Sequence, residues 1–159
     1  MAGPYSFRRV REEDRALLRR WLAEPHVRKW WGSDEPAERL ELEGHVARWI
    51  VWLEGTPFAY MQDYSVHGEE GHHFAGLPAG SRGIDQYIGV PGLIGQGHGT
   101  GFIGARMQAL YDEGAPAIAV DPDPTNARAI AVYRKLGFEV SGPAHDSRWG
   151  RVLPMVAWR

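Results

Sequence analysis

From Gly95 to Gly101 every second residue is a glycine, in the run Gly95-Gln96-Gly97-His98-Gly99-Thr100-Gly101. The stretch before it, Arg82 to Gly89, reads as a strand. The stretch after it carries Phe102, Ile103, Met107, Leu110 and Tyr111 on one side of a helix. A glycine turn between a strand and a helix exposes backbone N–H groups at the positive end of that helix, which suits a phosphate. A glycine-rich turn that binds no phosphate is the competing interpretation. Two familiar nucleotide motifs fail here. Counting G-x-G-x-x-G from Gly95 ends on Thr100, and from Gly97 on Phe102. The P-loop requires Lys and then Ser or Thr after its last glycine, whereas His98 follows Gly97.

The chain has 159 residues, 43% hydrophobic and 24% charged, which is enough for one globular domain over 1–159 with a real core. It contains no Cys, so disulfides, thiolate metal sites and cysteine nucleophiles are excluded. The longest apolar run, Trp49 to Leu53, is too short to cross a bilayer, and the N-terminus lacks a signal-peptide pattern. A cytoplasmic chain with no membrane partner is expected. A net charge of −2 gives no footprint for nucleic acid. Its distribution is uneven: residues 1–33 carry +4, residues 34–85 carry −7 and residues 86–159 carry +1. The acidic middle segment would attract a cationic substrate, or else it is a solvated face.

Strands and helices alternate irregularly along the chain. Tyr5 to Val10 has the pattern of a half-buried strand, and Leu17, Leu18, Trp21 and Leu22 form a helical stripe that ends before Pro25. A short helix is predicted over His26 to Trp31 and another over Pro36 to Glu43. His45 to Leu53 and Thr56 to Ser65 form a hairpin around Glu54-Gly55. Residues 66–81 read as a loop, and Ala117 to Val120 as a short buried strand. Asn126 to Leu136 is a helix closed by Gly137. Phe138 to Ser141 and Val152 to Trp158 are predicted to be two closing strands. The fold class is α+β (mixed α/β): a mostly antiparallel twisted sheet flanked by helices, with one strand–helix–strand unit in the second half.

Gln96-x-x-Gly99-x-Gly101 resembles the pyrophosphate turn of the GNAT superfamily of N-acetyltransferases. Asn126-x-x-Ala129-x-x-x-Tyr133-x-Lys135-x-Gly137-Phe138 resembles the other cofactor segment of that superfamily. Asn126 and Tyr133 are seven residues apart, about two helical turns, and so share a face. The aminoglycoside 6'-N-acetyltransferase branch is the most similar. The segments that resemble it are His26-Val27-Arg28-Lys29-Trp30-Trp31-Gly32, Pro57 to Tyr64, Arg82-Gly83-Ile84-Asp85-Gln86, and Asp121-Pro122 to Ile130. Residues 34–55 are shortened relative to that branch, and 139–159 carry little that matches it. Siderophore-biosynthetic acyltransferases share some of these features.

The resemblance implies acetyl-CoA as cofactor and a small-molecule amine as acceptor, in a monomer or homodimer. It places the pyrophosphate on the backbone N–H groups of Gln96, Gly97, His98, Gly99, Thr100 and Gly101, and the pantetheine arm on Asn126. Backbone donors near Tyr87 and Ile88 would serve the thioester carbonyl. Asp85 lies in an otherwise apolar strand, so it is either paired, for instance with Arg82 or Arg128, or functional. The resemblance favours an amine-binding or basic role for it. Tyr133 is a core tyrosine by spacing alone, and the resemblance makes it the general acid for the departing thiolate. Trp30, Trp31, Gln62, Asp63, Tyr64 and Glu70 are acceptor-side candidates, since a polycationic sugar calls for aromatic faces and carboxylates. One of the two tryptophans is expected only to pack. No metal is expected, and His67, His72, His73, Glu69 and Glu70 are assigned to a solvent-exposed loop. A lysine-derived siderophore precursor as acceptor and a non-catalytic acyl-CoA-binding domain are the alternatives.

Overall fold

The computed structural model describes residues 3–32 and 45–159. The helix expected over 36–43 lies outside the described residues. Nine strands and four helices are present among the described residues, with a seven-stranded sheet in the order β1-β2-β3-β4-β5-β9-β6 and a separate β7-β8 pair. The chain divides into two compact units, Met1–Asp63 with Asp85–Phe102 and Tyr64–Ile84 with Ile103–Arg159.

In the first unit, β1 (Tyr5–Arg9) runs antiparallel to β2 (Val46–Leu53), with Phe7 opposite Val51 and Arg9 opposite Trp49. β2 turns into β3 (Thr56–Ser65) at Glu54 and Gly55, both with positive φ (47° and 86°), as a tight right-twisted hairpin demands. The helical stripe becomes α1 (Arg15–Ala23), and Pro25 opens α2 (Pro25–Trp31) where its missing N–H costs nothing. Leu18, Trp21, Leu22 and Val27 from these helices pack with Ile50, Tyr60 and Tyr87 into one core cluster. Gly89, just after β4 (Arg82–Ile88), must be glycine, because a Cβ there would sit 2.2 Å from the Trp21 ring.

Asp14, only 6% exposed, caps the turn before α1. Burial pushes its carboxyl up. Paired hydrogen bonds from Arg8 (2.8 and 3.0 Å) and one from the Arg11 amide (2.7 Å) outweigh burial and hold it below the ordinary carboxylate value. A carboxyl lowered by folding contributes stability that is complete above its unfolded value, about 4, and is lost as pH falls through the folded one. Thermal melts between about pH 6 and pH 2 should therefore show an acid-side loss of stability that Asp14→Asn flattens.

In the second unit, β5 (Ala117–Val120) is buried throughout and pairs parallel with β4, Arg82 opposite Ile118 and Gly83 opposite Ala119. The parallel pair requires a crossover, which α3 (His98–Asp112) supplies. β9 (Met155–Trp158) lies antiparallel to β5 and to β6 (Glu139–Val140). α4 (Ala127–Lys135) ends near Gly137, whose φ of 97° is the left-handed conformation that stops a helix. Ala117, Ala119, Val156, Val66 and Phe74 form the core cluster here.

The closing strands are shorter than expected. A single strand from Val152 to Trp158 is not found: β8 (Gly150–Val152) ends there, and β9 begins only after Pro154, which has no N–H for a ladder. β8 instead pairs with β7 (His145–Ser147) in a small hairpin turned by Arg148 and Trp149.

Candidate active site

The glycine turn has the form its sequence suggests. Gly95 and Gly97 both take positive φ, 75° and 85°, and a Cβ on either would meet open space. α3 starts directly after, at His98, and its first turn closes with the Gly101 N–H bound to the Gly97 carbonyl at 3.1 Å. The amides of His98, Gly99 and Thr100 precede that bond and belong to the turn of a helix that lacks intrahelical acceptors. The His98 ring is anchored to the Tyr5 hydroxyl at 2.9 Å, which leaves its backbone at the helix end. The Gln96 side chain donates back to the Gly92 carbonyl. Gly101 departs from its expected role. Its amide is spent inside the helix, and its missing Cβ makes room for the Tyr5 ring, which a methyl there would approach to 2.6 Å. It is a packing glycine.

Asp85, half-buried on β4, accepts a hydrogen bond from Gln62 Nε2 at 3.0 Å. Two of the predicted residues are thus brought together. The Gln62 oxygen in turn accepts from the Tyr60 hydroxyl (2.7 Å) and from Arg48 (2.8 Å). Arg48 was not singled out by sequence reasoning.

Trp31 meets Tyr60 and Tyr87 edge-on, with ring centres 5.8 and 5.0 Å away, so it is the tryptophan that packs. Trp30 is exposed, with the Lys29 ammonium 4.8 Å above its ring. The Tyr87 side chain is core as well: stacked on Tyr60, it has its phenol pushed far up by burial and stays protonated. Only its backbone can face a ligand. The Ile88 carbonyl is held by His26 Nε2 at 2.7 Å.

Asp63, an acceptor-side candidate, is 1% exposed and accepts from Trp49 Nε1 at 2.8 Å, a bond that ties β2 to β3.

In the second unit Asn126 caps α4, its side-chain oxygen accepting from the Ala129 amide at 3.2 Å. The Asp123 carboxylate steadies the approach by accepting from the Thr125 amide and hydroxyl, and those bonds lower its pKa. Tyr133 follows on the same helix, 8% exposed, with its ring against Phe138 at 5.6 Å. Tyr64 lies over Gly83, where any Cβ would be 2.2 Å from its ring, and against His72.

The expectation of a solvent-exposed histidine loop fails for two of its members. His72 is 7% exposed, and burial holds its ring below the usual imidazole value, with Nδ1 accepting from the Phe74 amide. His73 bonds Asp121 at 3.0 Å. His72 meets the Trp149 ring at a tilt (4.9 Å) and His73 edge-on (5.7 Å), and Arg148 donates to the Glu70 carbonyl at 2.9 Å. The β7-β8 hairpin therefore grips the loop that carries Glu70. Among the described residues no group of three His, Cys, Asp or Glu is placed to hold a metal. No helix among them is long and apolar enough to cross a membrane.

The chain as a whole has counterparts among known proteins. The chain is 33% identical over 150 residues to the aminoglycoside N(6')-acetyltransferase type 1 of Klebsiella pneumoniae, covering 86% of this chain and 75% of that one. The solved aminoglycoside acetyltransferase AAC(6')-Ib in complex with coenzyme A superposes with a TM-score of 0.88 at 32% identity, covering 98% of this chain and 95% of that one. The same enzyme in complex with coenzyme A and kanamycin gives a TM-score of 0.87 at 30% identity, with the same coverage. The acetyltransferase (GNAT) domain profile matches residues 10–145, and the chain is a member of that acetyltransferase family.

Proposed function

We propose that this chain transfers the acetyl group of acetyl-CoA to an amine of a small cationic acceptor, the 6'-amine of an aminoglycoside. The observation that carries this reading is the near full-length likeness to an acetyltransferase solved with both coenzyme A and kanamycin. Support from the chain itself comes from the open glycine turn at the start of α3 and from Asp85 held by Gln62.

Acetyl-CoA supplies an acetyl group activated as a thioester. The amides of Gln96, Gly97, His98, Gly99 and Thr100 would hold its pyrophosphate, where the α3 dipole favours negative charge. Asn126 spends its side-chain oxygen on the helix cap, so its NH2 group is the part that donates to a pantetheine carbonyl. Asp85 would orient the acceptor ammonium. A carboxylate near pKa 4 and an ammonium near 10 are mismatched by about 6 units, so the proton passes from the amine through water and not directly to Asp85. Tyr133, a phenol buried on α4, would donate to the sulfur as it leaves. Backbone donors around Tyr87 and Ile88 would serve the carbonyl oxygen, and Trp30, Tyr64 and Glu70 remain the acceptor-side candidates.

The test is thiol release from acetyl-CoA against a panel of aminoglycosides, polyamines and hydroxylated lysines. Aminoglycosides should be acetylated fastest. Their KM should rise steeply with salt, since several charges on the acceptor are screened beyond about 8 Å at physiological ionic strength. A shallow salt dependence is expected only for a singly charged acceptor. Release with a lysine derivative and none with any aminoglycoside would replace the proposed acceptor by a siderophore precursor.

A further inference from the structure

Arg48 is a cation in the apolar strand β2, and it is 7% exposed. A buried charge is costly unless hydrogen bonds compensate it. One of its nitrogens, Nη1, donates both to the Tyr60 hydroxyl at 2.9 Å and to Gln62 Oε1 at 2.8 Å. The Tyr60 hydroxyl donates to the same Oε1 at 2.7 Å. Two donors on that oxygen settle which way the amide points: Nε2 must face Asp85, whose Oδ2 it meets at 3.0 Å. The flipped amide would set NH2 against two donors and an oxygen against a carboxylate. It is excluded electrostatically.

We infer that Arg48 is a positioning residue for acetyl transfer: through Tyr60 and Gln62 it locks the Asp85 carboxylate in the orientation that receives the acceptor amine. The inference rests on the role proposed for Asp85 above. Its physical content is cooperative. A charged donor on the amide oxygen polarises the amide and strengthens the N–H that it offers to the carboxylate. That in turn fixes Oδ2 of Asp85 on Gln62 Nε2 and with it the direction in which the carboxylate meets the ammonium. Orientation of this kind matters, because a misplacement of about 1 Å can cost a hundredfold in rate.

The test compares the full chain with Arg48→Met, Arg48→Lys, Gln62→Leu, Arg48→Met/Gln62→Leu and Asp85→Asn, with turnover and both KM values measured. Arg48→Met should lower kcat with the acceptor by about tenfold, as expected for an orientation effect, and leave the KM for acetyl-CoA unchanged. Arg48→Lys should restore most of the loss, because a single nitrogen makes both bonds and an ammonium can replace it. In the Gln62→Leu background Arg48→Met should add nothing further, the non-additivity expected of residues that act in series. If Arg48→Met does not fold, Arg48→Gln takes its place with the same expected loss and the same lysine rescue. Losses that add across the two sites, or an Arg48→Lys protein as slow as the Met variant, would reduce Arg48 to packing. A collapse in Asp85→Asn together with normal turnover in Arg48→Met overturns the Arg48 role alone. Normal turnover in Asp85→Asn overturns both.

Discussion

Asp85→Asn is expected to lower turnover by about a hundredfold or more while acetyl-CoA still raises the melting temperature as it does for the wild type. The amide is isosteric, and its oxygen can still accept from Gln62 Nε2, so packing around β4 is preserved. Only the negative charge is removed, and with it the group that would orient the acceptor ammonium. The measurement is kcat by thiol release at several values between about pH 6 and pH 9, with melting curves plus and minus acetyl-CoA. Wild-type turnover across that range would make Asp85 a structural carboxylate.

Gly99→Glu should abolish cofactor binding in a protein that remains folded. Position 99 lies in the first turn of α3, where a carboxylate is welcome to the helix dipole by about 0.3–1 kcal/mol. The same carboxylate occupies the place of an anionic pyrophosphate. Folding and binding therefore respond in opposite directions, which separates this variant from a general loss of stability. Acetyl-CoA at a hundred times its dissociation constant should stabilise the wild type by about 2.7 kcal/mol, and that increment should vanish. An undiminished melting shift in Gly99→Glu would place the pyrophosphate elsewhere.

Much of the fold was legible because its signals are local. The apolar stripe of α1, the Glu54-Gly55 turn, the four-residue strand Ala117–Val120 and the stop at Gly137 each depend on neighbours in sequence. The β7-β8 hairpin was not, since His145 to Val152 has no apolar alternation. It owes its place to contacts with a loop distant in the chain, among them Arg148 on the carbonyl of Glu70, 78 residues away. Asp63 and Arg48 were opaque for a related reason. Counting back from Glu54-Gly55 with a two-residue turn pairs Arg48 with Met61, yet its side chain meets Tyr60 and Gln62. A difference of one residue in register changes which face a side chain serves, and a pattern of residue types does not encode it.

By itself, the sequence carried a resemblance: Gln96-x-x-Gly99-x-Gly101 and the Asn126 to Phe138 segment resemble the cofactor segments of the GNAT acetyltransferases. That resemblance, not the glycine pattern or the spacing alone, pointed to the kind of chemistry. What surrounds each charged strand residue was decided only by tertiary structure. Asp63 and Asp85 are both acids in apolar strands. One is buried and bonded by Trp49, and the other, half-buried, accepts from Gln62, whose oxygen is held by a buried guanidinium. The reason is desolvation. The energy of a charge depends on what surrounds it in space, and for these strands those surroundings come from residues distant in the chain.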